Sequence, residues 1–309
     1  MQSLNNKFIV GVDIGGTKIN VVLFRGAKVM YKDKQPTETQ NLQKLMDQLE
    51  SMISSVISPL RRKEILGIGC GIAGALDLEK GQILKAPNLP VINGFKIREW
   101  LSKKFHREVF IDNDTRSFLR GEHLWGAGKG YKNLVGLTLG TGVGGGIIID
   151  GKIINGANDA AGEIGHMIIK SEIRPPSAKL GRGRGNSKLE TNDFEELAGA
   201  RALKNFGFSD SLKAYNLARK GDKNAREAFE KVGEYLGISL ANIVNILDPQ
   251  AIIIGGGLTG AEKFILPQAR KTMKKLITSP KAAEGVLILL NKLGEDAGAM
   301  GAAALLLEA

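Results

Sequence analysis

Two short glycine-rich stretches hold the densest set of groups able to handle phosphate. Asp13-Ile14-Gly15-Gly16-Thr17-Lys18 and Gly140-Thr141-Gly142-Val143-Gly144 each stand between β-branched runs, so each is expected to be a β-hairpin turn. Such turns present backbone N–H groups and hydroxyls with no side-chain bulk in front of them, and two of them can wrap phosphate oxygens from two sides. Asp13, just before the first turn, is placed to hold a phosphate-bound Mg²⁺ directly or through water. A single hairpin would be read equally well as a tight turn with Asp13 as its acceptor. A second related copy and a third cluster, Gly255-Gly256-Gly257, favour phosphate.

Two standard nucleotide motifs are excluded. Gly11 to Lys18 approaches a P-loop, but Thr17 comes before Lys18 and the chain continues as strand, so the GxxxxGK[ST] order fails. Gly140 to Gly145 satisfies GxGxxG, yet it opens a strand, Ile147-Ile148-Ile149, where a dinucleotide fingerprint must open a helix.

The elements that position these turns follow from hydrophobic spacing. Phe8 to Ile14, Ile19 to Phe24 and Lys28 to Tyr31 read as a three-stranded meander. Leu45, Leu49, Met52, Ile53 and Val56 fall at helical spacing within Leu42 to Ile57. Ile65 to Ala73 is a buried strand, Gly94 to Phe105 a short helix, and Val109 to Asp112 a strand entering a helix at Asp114, whose side chain could cap it. Val10–Gly15 aligns with Val135–Gly140, and at the same offset Val22–Gly26 aligns with Ile147–Gly151. This internal repeat predicts two similar lobes facing one cleft. Beyond it come a long helical region, Asp222 to Ile246, a third strand with glycines, Ala251 to Gly260, and an alanine-rich terminal helix, Asp296 to Leu307. Ser171 to Lys188 is expected as an irregular basic loop.

Composition narrows the class. The 309 residues include one cysteine, so no intrachain disulfide forms and a cytoplasmic setting is expected. The 40 glycines lack a triplet period and are expected in tight turns or where backbone approaches a ligand. A net charge of +11 raises the question of nucleic acid. No helix-turn-helix or aromatic-basic motif accompanies it, so a solubilising surface with affinity for small anions is expected, with no nucleic-acid partner. The start has no signal-peptide pattern, and the longest uncharged run, Asn133 to Ile149, is short and broken by glycines, so no membrane association is expected.

Five segments in this order resemble the ROK family of bacterial sugar kinases and repressors: Val12 to Lys18, Asp112-Asn113-Asp114, Leu139 to Gly146, Ala161-Gly162-Glu163-Ile164-Gly165-His166, and Ile254 to Gly257. The resemblance spans almost the whole chain. It implies an α/β protein with the actin-like, hexokinase-type ATPase fold, built of ribonuclease H-like duplicated units with a central cleft. The expected lobes are residues 1–114, closed by the C-terminal helix 296–309, and residues 115–295. ATP phosphates would lie on the two hairpins, at Asp13, Gly15, Gly16, Thr17, Lys18, Gly140, Thr141 and Gly142, with adenosine near Gly255, Gly256 and Gly257. A homodimer is also implied.

Phosphoryl transfer to a sugar hydroxyl needs a proton acceptor, a metal to offset phosphate charge, and in-line positioning. Asp114 matches the family's catalytic aspartate. Asn88, Asn113, Asp114, Glu163, His166 and Glu190 match its hexose contacts. The family's usual CxCGxxGCxE segment, whose cysteines bind zinc with the histidine, is replaced by Lys179 to Glu190 with no cysteine, so no zinc site is expected. The basic loop is expected to be a solvated surface, with contact to polyphosphate as the alternative. The expected activity is ATP- and Mg²⁺-dependent phosphorylation of a hexose, glucose ahead of fructose, mannose or N-acetylhexosamines. A sugar-responsive regulator is the competing class. Twelve residues precede Asp13, too few for the helix-turn-helix of such repressors, so an enzyme is expected.

Overall fold

The computed structural model describes residues 7–26, 28–58, 64–174 and 188–308; of residues 171–174 and 188–190 it describes the backbone only. Strands β1 (Phe8–Ile14), β2 (Lys18–Arg25) and β3 (Lys28–Pro36) form the meander expected from the sequence. Helix α1 (Leu42–Ile57) starts at Asn41, whose side chain accepts from the N–H of Lys44, and buries the Leu45, Leu49, Met52, Ile53, Val56 face. Strands β4 (Ile65–Ile72), β5 (Ala75–Asp77) and β6 (Gln82–Lys85), helix α2 (Ile97–Phe105) and strand β7 (Glu108–Asn113) follow. The sheet order is β3-β2-β1-β4-β7, with β1, β4 and β7 parallel. The central strand β1 is buried almost continuously, as a strand covered on both faces must be.

Helix α3 (Asp114–Trp125) leads to β8 (Leu134–Leu139), β9 (Val143–Ile149) and β10 (Lys152–Ile153), then to the hairpin β11 (Ile168–Arg174) and β12 (Lys188–Asp193). After it come α4 (Phe194–Ala198), α5 (Ser211–Arg219), the long α6 (Lys223–Leu247), β13 (Ala251–Gly255), α7 (Glu262–Leu276), α8 (Pro280–Gly285), β14 (Leu287–Leu290) and α9 (Ala297–Glu308). The second sheet runs β10-β9-β8-β13-β14, with β8, β13 and β14 parallel. Its order and strand senses copy those of the first sheet, so the sequence repeat is a repeat of topology.

Ser171 to Lys188 is not irregular throughout. Residues 171–174 and Lys188 are paired strand, consistent with the β-branched content of Ile168, Ile169 and Ile173. The interior of the expected basic loop, residues 175–187, lies outside the described residues. Among the described residues no helix is long and apolar enough to cross a membrane.

The two sheets meet through α3 and α9, which pack on each other; α9 also lies on β1 and β4, and α3 on β8 and β9. Helix α9 is buried on all sides, which its run of Ala and Gly permits. A Cβ on Gly301 would lie 1.7 Å from the Ser117 carbonyl oxygen, and one on Gly11 would lie 1.9 Å from that of Ala299. Both glycines therefore serve backbone-to-backbone packing, a use that the sequence expectation of turns and ligand contacts did not include.

Candidate active site

The ends of matched elements converge on one cleft. β1 delivers Asp13, and β8, its counterpart in the repeat, delivers Thr138. These two residues, Lys18, Asp114, Gly256 and Gly257 line a cavity of about 390 Å³. Its remaining wall holds Phe118, Thr259, Asn291, Glu295 and Gly298, none of which the sequence reading selected. Phe118 lies on α3 one turn after Asp114 and Thr259 just past the third glycine cluster, where neither residue type signals a ligand; Asn291, Glu295 and Gly298 come from the far end of the chain, with no local motif.

Helix α3 is capped by Asn113 and not, as the sequence left open, by Asp114. Asn113 Oδ1 accepts from the N–H of Thr115 at 2.9 Å and of Arg116 at 3.2 Å, while its Nδ2 donates to the Gly74 carbonyl at 3.3 Å. Asp114 is the first residue of the helix and faces the cleft. Burial raises its pKa, against the Thr115 N–H, and the nearby charge of Glu163 raises it further.

Asp13 is a second perturbed carboxylate. Burial and then the Asp114 charge push its pKa up to about 7, with Lys18 opposing. A Cβ on Gly298, in the first turn of α9, would lie 2.6 Å from Asp13 Oδ2, so the carboxylate rests against that turn. Two acids on one cleft floor make a donor set of hard oxygens deficient in positive charge, and a divalent cation fits it. A Cβ on Gly256, whose φ is +93°, would lie 2.4 Å from the Leu139 carbonyl oxygen, so only glycine carries the chain past the second hairpin there. Gly257 beside it has open space where a side chain would be.

The first hairpin turn is fixed by the Gly15 N–H to Lys18 carbonyl bond and by Thr37 Oγ1 donating to the Gly15 carbonyl. Gly16 rests on Asn88: a Cβ there would lie 2.6 Å from the Asn88 carbonyl oxygen. Lys18 Nζ meets Glu295 at 3.0 Å, and Lys34 pairs with the same carboxylate. The Lys34 and then the Lys18 ammonium hold Glu295 down at about 2. In the second turn, the Val143 N–H donates to Glu195 Oε2 at 2.9 Å, and the Ala200 N–H donates to the Gly140 carbonyl at 2.9 Å, tying this hairpin to α4 and the chain after it.

Of the residues expected to contact a sugar, Asp114 lines this cavity, while Asn88, Asn113, Glu163 and His166 are not among its lining residues. Glu163 is exposed and acts electrostatically on both Asp114 and His166, so it lies near both. His166 Nδ1 meets Asp193 Oδ2 at 3.0 Å, and this bond, with the charges of Asp193, Glu163 and Glu195, raises its pKa. Asn88 is exposed, with Arg201 Nη2 at 3.5 Å from its Oδ1. Glu190 pairs with Glu172 in the β11–β12 hairpin, and its side chain lies outside the described residues. Asp193 and Glu195 stand nearest His166 among the acids that sequence reasoning missed. The Ile168–Asp193 register across the hairpin brings Asp193 there, which sequence spacing alone does not reveal. Among the described residues no group of three or more His, Cys, Asp or Glu is arranged to hold a metal ion by itself, and Cys70 is buried in β4.

A buried ionic cluster holds the Asp112-Asn113-Asp114 segment. Asp112 takes Arg116 Nε at 2.6 Å and Arg120 Nη1 at 2.8 Å, and Arg120 Nε reaches Glu308 at 2.9 Å. Arg116 Nη1 also donates to the Asp159 carbonyl at 2.8 Å, linking α3 to the loop that leads into Glu163 and His166.

The ROK family model matches residues 9–309. A glucokinase of Halalkalibacterium halodurans is 30% identical over 96% of this chain and 94% of its own. An N-acetyl-D-glucosamine kinase of Aliivibrio fischeri is 31% identical over 95% of this chain and 97% of its own. Among solved structures, a ROK family glucokinase from Streptomyces griseus in complex with glucose and AMPPNP superposes with a TM-score of 0.80 at 25% identity, covering 98% of this chain and 100% of that one.

Proposed function

The chain belongs to the ROK family and is a sugar kinase; we propose that it transfers the terminal phosphoryl group of ATP to the 6-hydroxyl of glucose. The observation that carries this reading is Asp114: a carboxylate released from helix capping by Asn113, facing the same cleft as Asp13 and Lys18. Asp114 accepts the hydroxyl proton as the sugar oxygen bonds to phosphorus, and its raised pKa brings it closer to that task than a solvated carboxylate would be. The hairpins at Gly15, Gly16, Thr17 and Lys18 and at Gly140, Thr141 and Gly142 hold the phosphates, and Gly255, Gly256 and Gly257 border the nucleoside. Asp13 would hold Mg²⁺, which when bound supplies positive charge against the phosphates. Asn88, Asn113, Glu163 and His166 hold the sugar and exclude water as the competing acceptor.

A second reading, N-acetylhexosamine as acceptor, is favoured by the 31% identity to the Aliivibrio enzyme. A coupled assay with ATP and Mg²⁺ over glucose, fructose, mannose and N-acetylglucosamine separates the two. Glucose is expected to give the highest kcat/KM. Preference for N-acetylglucosamine would move the assignment to that acceptor, and no turnover with any sugar would overturn the enzyme.

A further inference from the structure

His166 leaves 65% of its side chain exposed, yet its ring is held on one side. Its Nδ1 lies 3.0 Å from Asp193 Oδ2. Exposed ion pairs usually contribute little, because two mobile side chains must be ordered to form them. Here the carboxylate is ordered already. Asp193 Oδ1 accepts from the N–H of Glu196 at 2.9 Å as the N-cap of α4, and the Asp193 N–H donates to Glu196 Oε2 at 3.3 Å, completing a capping box. The pairing of Ile168 with Asp193, and the Phe194 N–H donated to the Met167 carbonyl at 2.9 Å, fix the same backbone beside the His166 turn.

We propose that Asp193 is a positioning residue for the kinase reaction: one carboxylate oxygen starts α4 while the other holds His166 by Nδ1–H, aiming Nε2 at the bound sugar. A neutral imidazole carries one ring hydrogen, and an acceptor at Nδ1 places it there. Nε2 then offers a lone pair to a sugar hydroxyl. This inference rests on the reading of His166 as a sugar contact.

Asp193→Asn is the discriminating variant. An amide keeps one oxygen for the cap and presents NH₂ to Nδ1, so α4 still starts but the ring is met by a donor. Nitrogen-15 spectra of the imidazole in the full chain are expected to show the neutral ring protonated at Nδ1 in the parent and at Nε2 in the variant. KM for glucose is expected to rise about tenfold, the scale of one well-made hydrogen bond, while kcat and the melting temperature change little. Asp193→Ser, which also caps but makes no contact with the ring, is expected to raise KM similarly. In a His166→Ala background neither substitution at Asp193 is expected to add anything, because Asp193 acts through the ring. An unchanged tautomer in Asp193→Asn, or an Asp193 effect that persists without His166, would overturn the inference. If His166→Ala alone leaves KM unchanged, the sugar-contact reading of His166 falls and this inference with it. If His166→Ala raises KM and Asp193→Asn does not, only the inference falls.

Discussion

Asn113 caps helix α3 so that its neighbour Asp114 need not. Its Oδ1 accepts from two N–H groups of the first turn, and the Asp114 carboxylate is left in the cleft beside Asp13. Strand β7, the cap and the carboxylate proposed as the base thus occupy consecutive residues, and a shift of the cap shifts Asp114 with it.

Asn113→Ala should remove about 1 kcal/mol of cap stabilisation and lower Tm by about 1–2 °C. Because Asp114 moves with the helix start, kcat should fall as well. Asn113→Ser keeps a cap acceptor without adding a charge against the Gly74 carbonyl and should lose less Tm than Asn113→Ala. Calorimetry of both variants checks this, and equal Tm values for all three proteins would show that the cap carries no weight.

Asp13 gives the stability of the protein a pH dependence. Its folded pKa of about 7 lies above the ordinary 3.8. Between those values the folded chain keeps a proton that the unfolded chain has lost, so this group's contribution to stability falls as pH rises from about 4 to 7 and levels off above. Asp13→Asn removes that loss. In the absence of nucleotide and Mg²⁺, its Tm advantage over the parent should grow between pH 5 and pH 8, while phosphoryl transfer is lost. A difference that stays flat with pH would contradict the perturbed carboxylate.

Arg116 is predicted to act at two distances. Arg116→Met leaves Asp112 with the Asn113 N–H and Arg120 as its one remaining ion-pair partner in a buried setting, and should destabilise the fold by roughly 3 kcal/mol. It also cuts the link to the Asp159 carbonyl, so sugar KM should rise along with the loss of stability. Arg116→Lys should rescue poorly, since one ammonium cannot serve both partners in the same plane. Denaturant melts paired with sugar titrations test both halves.

Metal content is the simplest check on the missing cysteines. Purified protein is expected to carry no stoichiometric zinc, and chelator treatment followed by excess Mg²⁺ should restore full turnover. One zinc per chain, with activity lost on its removal, would show a ligand set that the sequence does not reveal.

Much of the fold was legible because its signals are local. The glycine turns at Gly15 and Gly140, the strands around them and the recurrence between them all lie within short windows, and the structure turns that recurrence into two sheets of one order. What escaped was set by distance along the chain. Gly298 and Glu295 reach the cleft at the start of α9, which folds back between the sheets, and Asn291 reaches it at the end of β14 beside β13; no neighbouring residue announces either. Asp193 escaped for another reason: strand register across the β11–β12 hairpin, not spacing after His166, brings it to the ring. The general expectation that glycines serve turns or ligands did not cover Gly11 and Gly301, which lie in a strand and a helix and let α9 approach β1 and α3.

The most direct test is the steady-state turnover of glucose by the parent and by Asp114→Asn, with ATP and Mg²⁺, product identity being read by phosphorus NMR. The parent should form glucose 6-phosphate, and the variant should bind glucose within a few-fold of the parent while kcat drops by about 10²–10⁴, the range of a lost general base. Near-normal turnover by Asp114→Asn, or a parent that phosphorylates no hexose, would contradict the assignment.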